Sequence, residues 1–389
     1  MGDAKEYLCR PAPLHELLLK AALLPRDEAI RAWEDWRLSA DIDRLDAGSY
    51  RLLPLLYRNL RAHAIDDPAI KKLKGIYRHT WSKNQLRMRH MADTLRFFDE
   101  AGIGTLILKG APLILLYYRD HGLRPMNDVD VLIRPGCALA AVNLLRNLGW
   151  RHCDRWPRIF HESYISVGHA SAFEDPDGRQ FDLHWHVLPE CCRTDADDDF
   201  WSAAIPTTIH GVKTSTLNSA DHLLHVCVHG TRWDPIPPFR WVADAAVITA
   251  SEPQLDWSRL VDAAARHRLV WPLREALGYL RDTFHIPVPN STLEDLRSIR
   301  SSRIEYFEYR YKARNYERKM FGYLPVHWFH YLRLGGRSRS VYSVIGFARY
   351  LQRLCGARNL LQLAGYAIVR SVKRASERRE RRRGVIAAG

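Results

Sequence analysis

The sequence predicts an α+β fold, a small mixed-sheet core near the middle of the chain flanked by N-terminal and C-terminal helical regions. Three observations carry this expectation. Two short apolar runs, "IGTLILKG" and "NDVDVLIRP", are bounded by glycine and proline and separated by a helix-like stretch. A later stretch, "HASAFEDPDGRQFDLHWHVL", reads as a hairpin about the turn Asp175-Pro-Asp-Gly. Before and after this core, apolar residues recur at helical spacing.

The elements follow in order. Residues 1–95 form a helical leader: "APLHELLLKAALL" and "DEAIRAWEDWRL" are amphipathic, and "MRHMADTLRFFDEAG" ends on Gly102, a helix stop. The core spans 96–190. Its first strand ends in Lys109-Gly110, and "APLILLYYRDHG" is read as a helix with Pro112 in its first turn. The strand "NDVDVLIRP" stops at Pro135, "CALAAVNLLRNLGW" returns to helix, and the hairpin closes the unit. Residues 191–290 read as mostly helical and complete a cleft, and 291–389 form a basic, aromatic helical end. Strand–helix–strand alternation of this kind predicts a mixed sheet.

Composition limits the function classes. With 47% hydrophobic and 26% charged residues the chain is globular rather than disordered. No apolar run approaches the ~18 residues of a membrane span. Seven scattered cysteines without a CxxC pair, and a start lacking a basic-then-apolar signal, predict a cytoplasmic protein in a reducing compartment. Charge is uneven: residues 301–389 hold 20 Lys/Arg against 5 Asp/Glu, and the rest is nearly neutral. Arginine there interleaves with Tyr, Trp and Phe. Such a surface suits RNA, a peripheral position on an anionic membrane, or a peptide partner, besides ordinary packing against the core.

The acidic residues point to chemistry. Asp128 and Asp130 sit two apart in the apolar run "VDVLI", so in a strand both face one way. Two like charges held together call for a cation. Asp182, in "QFDLHWHV", is polar within another apolar strand. If the two strands are neighbours, three carboxylates converge. Hard oxygen ligands of this kind suit Mg²⁺, with Mn²⁺ as substitute, bound together with substrate phosphates. Two such ions can clamp the attacking and leaving oxygens of a displacement at phosphorus. Asp182 is placed to help remove the proton of an attacking hydroxyl. Gly110 lets backbone approach a phosphate, and Lys109 and Arg124 add positive charge for a triphosphate.

Histidines offer further candidates. His184 lies two residues beyond Asp182 and shares its face; His184 and His229 are read as lining the acceptor side. His225 and His229 have the i, i+4 spacing that can hold zinc, but no intervening glutamate base accompanies them. Their alternative is a hydrogen-bonded place at the core's edge. Arg240 and Asp244 are read as an ordinary i, i+4 helix pair.

Taken together, "LKG", "RPMNDVDVLI" and "FDLHW" resemble the polymerase-β-type nucleotidyltransferase superfamily, and most closely its bacterial branch of uncharacterised nucleotidyltransferases. Residues of about 80–245 carry the resemblance, including "HLLHVCVHG" and "RWVADAAVI" downstream. It implies a nucleotidyltransferase core whose metal carboxylates are Asp128, Asp130 and Asp182, with Gly110 at the glycine turn. It also implies an NTP donor, ATP first, and a peptide or small-molecule acceptor hydroxyl. The chain departs from the commonest pattern in having Lys109-Gly110-Ala111 in place of Gly-Ser and 17 residues between Gly110 and Asp128. Lys109 and Arg124 are the candidates to replace the missing serine. Transfer of the γ-phosphoryl group, a kinase-like reaction, is the alternative chemistry. An RNA-modifying toxin and a non-catalytic RNA- or membrane-binding module are the rival functions.

Overall fold

The computed structural model describes residues 7–153, 160–193, 195–315, 322–335, 344–363 and 365. The far end of the basic tail, from 366 onward, lies outside them. Seven strands form one mixed sheet: β1 (Thr105–Leu108), β2 (Asp130–Ile133), β3 (Arg151–His152), β4 (Ala170–Glu174), β5 (Gln180–His184), β6 (Ile205–Ile209) and β7 (Val212–Thr216). Their order is β3-β4-β5-β2-β1-β7-β6. β2 runs antiparallel to β1 and parallel to β5. β1 in turn pairs parallel with β7.

Strand periodicity sorts the two faces. Leu106, Leu108 and Leu132 join a core with Leu18, Trp36 and Leu53 of the leader and with Leu223, Val242 and Leu277 downstream. Ile107, Val131, Ile133 and Leu183 point the other way, against Met88, Met91, Leu95 and Phe98 of the long helix Ile70–Glu100. Asp130, two residues before Leu132, therefore shares the face covered by helices Ser219–Gly230 and Trp241–Ser251. The turn of the β4–β5 hairpin is held by Asp175, which accepts the N–H groups of Asp177 and Arg179 at 2.9 Å each.

Helices Arg303–Lys312, Leu324–Leu334 and Val344–Cys355 pack against this assembly, with Tyr331, Tyr350 and Leu354 entering the second core. Among the described residues no helix is long and apolar enough to cross a membrane.

Three expectations change. The stretch after Gly110 is not a regular helix: Gly110–Pro112 is α-helical and Leu113–Tyr118 widens into a π turn. That turn buries Tyr117 and Tyr118 together. Second, residues 205–216, read as part of a helical region, form the β6–β7 hairpin about His210-Gly211, both at positive φ. Third, Asp128 is not in the strand: β2 begins at Asp130, and Asp128 lies exposed in the bend before it.

Candidate active site

The parallel ladder between β2 and β5 sets Asp130 opposite Asp182 and Leu132 opposite His184. The Asp182 N–H donates to the Val129 carbonyl at 2.8 Å, which pins the start of this register. His184, two residues on from Asp182, faces the same way. One ligand atom from each of Asp130, Asp182 and His184 lies within 4.8 Å of the others.

Asp130 is only 2% exposed. A carboxylate that deep needs compensation. Lys109, which directly follows β1, supplies it: its Nζ lies 2.5 Å from Asp130 Oδ1. The same oxygen accepts from His184 Nε2 at 3.0 Å. Because a carboxylate only accepts, that bond places the imidazole proton on Nε2 and leaves a lone pair on Nδ1. His184 Nδ1 is buried and has no hydrogen-bond partner.

Burial pushes the Asp130 carboxyl up, but the Lys109 ammonium and the His184 hydrogen bond outweigh it and hold it well below the usual range. Burial works against the Lys109 charge too. Asp130, Asp128 and Asp182 together reverse that and raise its pKa. For His184, burial and the Lys109 ammonium prevail over Asp130, and the ring favours its neutral form. Asp128, outside the tight group, still acts electrostatically on Lys109 and His184 and on Arg87 of the long helix.

This donor set fits a divalent cation: two carboxylates on neighbouring strands, an imidazole, and a third carboxylate at the mouth. Oxygen ligands suit Mg²⁺, and the imidazole is compatible with Mn²⁺. In the structure the Lys109 ammonium is the positive charge at that place.

Arg124, expected beside the phosphates, is paired with a carboxylate. It is 5% exposed and its guanidinium grips Asp244, Nε to Oδ1 at 2.7 Å and Nη2 to Oδ2 at 2.8 Å. Tyr118 donates to the same Oδ1 at 2.9 Å. Its Nε and Nη2 are thereby committed to Asp244. The expected Arg240–Asp244 helix pair is corrected by the same contact: Asp244 bonds Arg124, while Arg240 Nη1 donates to the Pro125 carbonyl at 2.7 Å. Burial, with Arg124 close by, lowers the Arg240 pKa to about 10.

His229 is solvent-accessible, yet desolvation of its ring disfavours the charged form, with Lys109 adding to this. It stacks on His225 with ring centroids 5.9 Å apart. The metal-capable group among the described residues includes neither of them. His222, on the same helix, pairs with Thr216 Oγ1 at 3.0 Å.

Gly110 opens the helical segment beyond Lys109, and a side chain there would strike Met126 Sδ at 2.8 Å. Sequence reasoning missed Arg87 and Arg232. Arg232 is ion-paired to Glu190 and acts on His229. Neither belongs to a recognisable motif: Arg87 is on the long helix and Arg232 lies just beyond helix Ser219–Gly230. A cavity of about 820 Å³ lies elsewhere, between the leader and helix Val270–Phe284.

The site is thus a pair of carboxylates side by side on adjacent strands of a mixed sheet. The family model described as uncharacterised nucleotidyltransferase matches residues 47–285, more than half of the chain, and the chain belongs to that family. No curated protein matches it. Among solved structures it is similar to the lincomycin-bound lincosamide antibiotic adenylyltransferase LnuA, at 13% identity over 40% of this chain and 92% of that one, with a TM-score of 0.28. It is also similar to an antigenic nucleotidyltransferase-like protein from Paracoccidioides brasiliensis, at 15% identity over 57% and 96%, with a TM-score of 0.33. The family is one of nucleotidyl-group transfer; nothing in it supports the kinase-like alternative.

Proposed function

We propose that this protein transfers a nucleotidyl group from an NTP, ATP first, to a hydroxyl of a peptide or small-molecule acceptor. The observation that carries this reading is the Asp130–Asp182 register pair, tied to His184 within 4.8 Å, in a chain of the nucleotidyltransferase family. In this reading Asp130, Asp182 and Asp128 hold Mg²⁺ or Mn²⁺, which when bound neutralises the charge of the donor's phosphates.

The chain's own residues then have separable tasks. His184 orients Asp130 through Nε2–H. Asp182, half-buried beside it, accepts the proton of the incoming hydroxyl. Lys109, at the strand–helix junction, donates to phosphate oxygens. His229 lines the side from which the acceptor arrives. Arg124 takes no part.

The test is incubation of the purified protein with each NTP, Mg²⁺ or Mn²⁺ and candidate peptides, small molecules and RNAs, read by mass spectrometry. The added mass separates a nucleotide from a phosphate. Asp130→Ala and Asp182→Ala are expected to lose two to three orders of magnitude in rate, roughly the loss when one preorganised electrostatic contact is removed from a reacting centre. Undiminished transfer by Asp130→Ala would refute the assignment.

A further inference from the structure

We propose that Lys109 is a built-in counter-ion that keeps the carboxylate site closed to free divalent cations until the phosphates of a nucleotide draw its ammonium away. The inference rests on the nucleotidyl-transfer reading and adds an order of binding to it.

The geometry is that of a cation site filled from within. Asp130 Oδ1 is shared by Lys109 Nζ at 2.5 Å and His184 Nε2 at 3.0 Å. The ammonium also feels Asp128 and Asp182, so three carboxylates act on it. A metal ion arriving at Asp130 meets a like charge at contact distance and an oxygen already taken. Repulsion of this kind, in a site poorly reached by water, is far stronger than between surface charges.

The device is also able to open. The Lys109 side chain is 25% exposed, whereas that of Asp130 is 2%. The lysine can leave; the carboxylate cannot. Its backbone is fixed. Lys109 sits at φ +53° and ψ −113°, a conformation L-residues rarely hold, which marks a position imposed by its surroundings. Next to it, the Cα of Gly110 is boxed in by Met126 and by Arg124, itself locked to Asp244. Movement is left to the four-carbon side chain, which can swing without disturbing the sheet. A polyphosphate provides the ammonium with a new anionic partner, and the vacated carboxylate then has room for the metal. Nucleotide and metal therefore bind with positive coupling, and by linkage each tightens the other equally.

The experiment is a Mn²⁺ titration followed by the EPR spectrum of free Mn²⁺, with and without the α,β-methylene analogue of ATP. It compares wild type, Lys109→Met, Lys109→Gln and Lys109→Arg, each checked for a cooperative thermal melt. Wild type and Lys109→Arg are expected to bind Mn²⁺ weakly alone and more tightly with the analogue. Lys109→Met and Lys109→Gln should bind Mn²⁺ alone at least about tenfold more tightly than wild type, the scale of one like charge removed from contact. If both neutral variants bind Mn²⁺ alone no better than wild type, the proposal is overturned. In that case, loss of analogue-dependent Mn²⁺ binding in Asp130→Ala would leave the nucleotidyl-transfer reading standing. No Mn²⁺ binding by wild type even with the analogue would remove both.

Discussion

Asp244 is buried at 4% exposure and carries a full charge, held by two hydrogen bonds from Arg124 and one from Tyr118. Burial alone would raise its pKa; the Arg124 guanidinium, with Arg240 behind it, brings it below the ordinary value. Breaking such a pair from one side leaves a buried charge without compensation, a loss of about 3–5 kcal/mol. Arg124→Ala should therefore lower the melting midpoint sharply, while ATP affinity of the still-folded protein stays within about twofold, since no phosphate contact is lost. Arg124→Lys should rescue only part of the stability, because an ammonium cannot reproduce the two-pronged grip. A stable Arg124→Ala protein that no longer binds ATP would return Arg124 to the phosphate site. The same logic separates Arg124 from Lys109. Both looked like phosphate ligands in the sequence, and only burial and partner choice distinguish them.

At the scale of elements, the sheet was legible where local chemistry decides. Asp175-Pro-Asp-Gly marked the β4–β5 turn, and carboxylates inside apolar runs marked β2 and β5. That Asp182 falls opposite Asp130 was not legible, because parallel pairing is set by tertiary contacts, and a slip of one residue would turn Asp182 to the other face. The position of Asp128 outside β2 was hidden for a related reason: period-2 spacing holds only once a strand has begun. The π turn at Leu113–Tyr118 has no sequence mark, whereas the β6–β7 hairpin did have one. "IPTTI" and "VKTST" flank His210-Gly211, a two-residue loop between β-branched runs. Gly211 holds φ +82° with open space around it, so strain and not crowding limits substitution there. Gly211→Val should cost about 1–2 kcal/mol, the penalty of a branched L-residue in a left-handed turn. The effect should reach β1, since β7 pairs with it and Thr216 Oγ1 donates to the Ile107 carbonyl at 3.1 Å. Thermal melts of Gly211→Val and Gly211→Asn check this: asparagine tolerates the turn and should recover most of the loss. Equal melting of all three proteins would show that the hairpin is not strained.

Across the whole molecule, charge is buried on both sides of neutrality, and this sets how stability responds to acid. The basic end is tied in by Lys312, which bridges Glu190 and Glu308 at 2.8 and 2.6 Å, and by Arg333 on Glu308 at 2.8 Å. Burial disfavours these carboxylates' charge, but the surrounding cations hold both pKa values down. Their stabilisation is complete above the ordinary carboxylate range and fades only below it. Histidines act earlier. His222 and His225 are 1% and 3% exposed, and burial depresses both, His222 to about 3. In the unfolded chain each takes a proton near its ordinary pKa of about 6.5, whereas in the folded protein it stays neutral until far lower pH. Between those two points the unfolded state binds more protons, so stability rises with pH and levels off above about 7. Each such histidine contributes a slope of about 1.4 kcal/mol per pH unit below its unfolded pKa. Urea unfolding at pH 7, 6 and 5 should therefore show a steady fall over a range where the carboxylates of the unfolded chain are still mostly ionised. His222→Gln, which keeps a hydrogen-bonding group for Thr216, should make the fall shallower by roughly the slope of one proton. A stability that is level or rising from pH 7 to 5 would mean that these rings are charged in the fold, and that the helix Ser219–Gly230 is open to water.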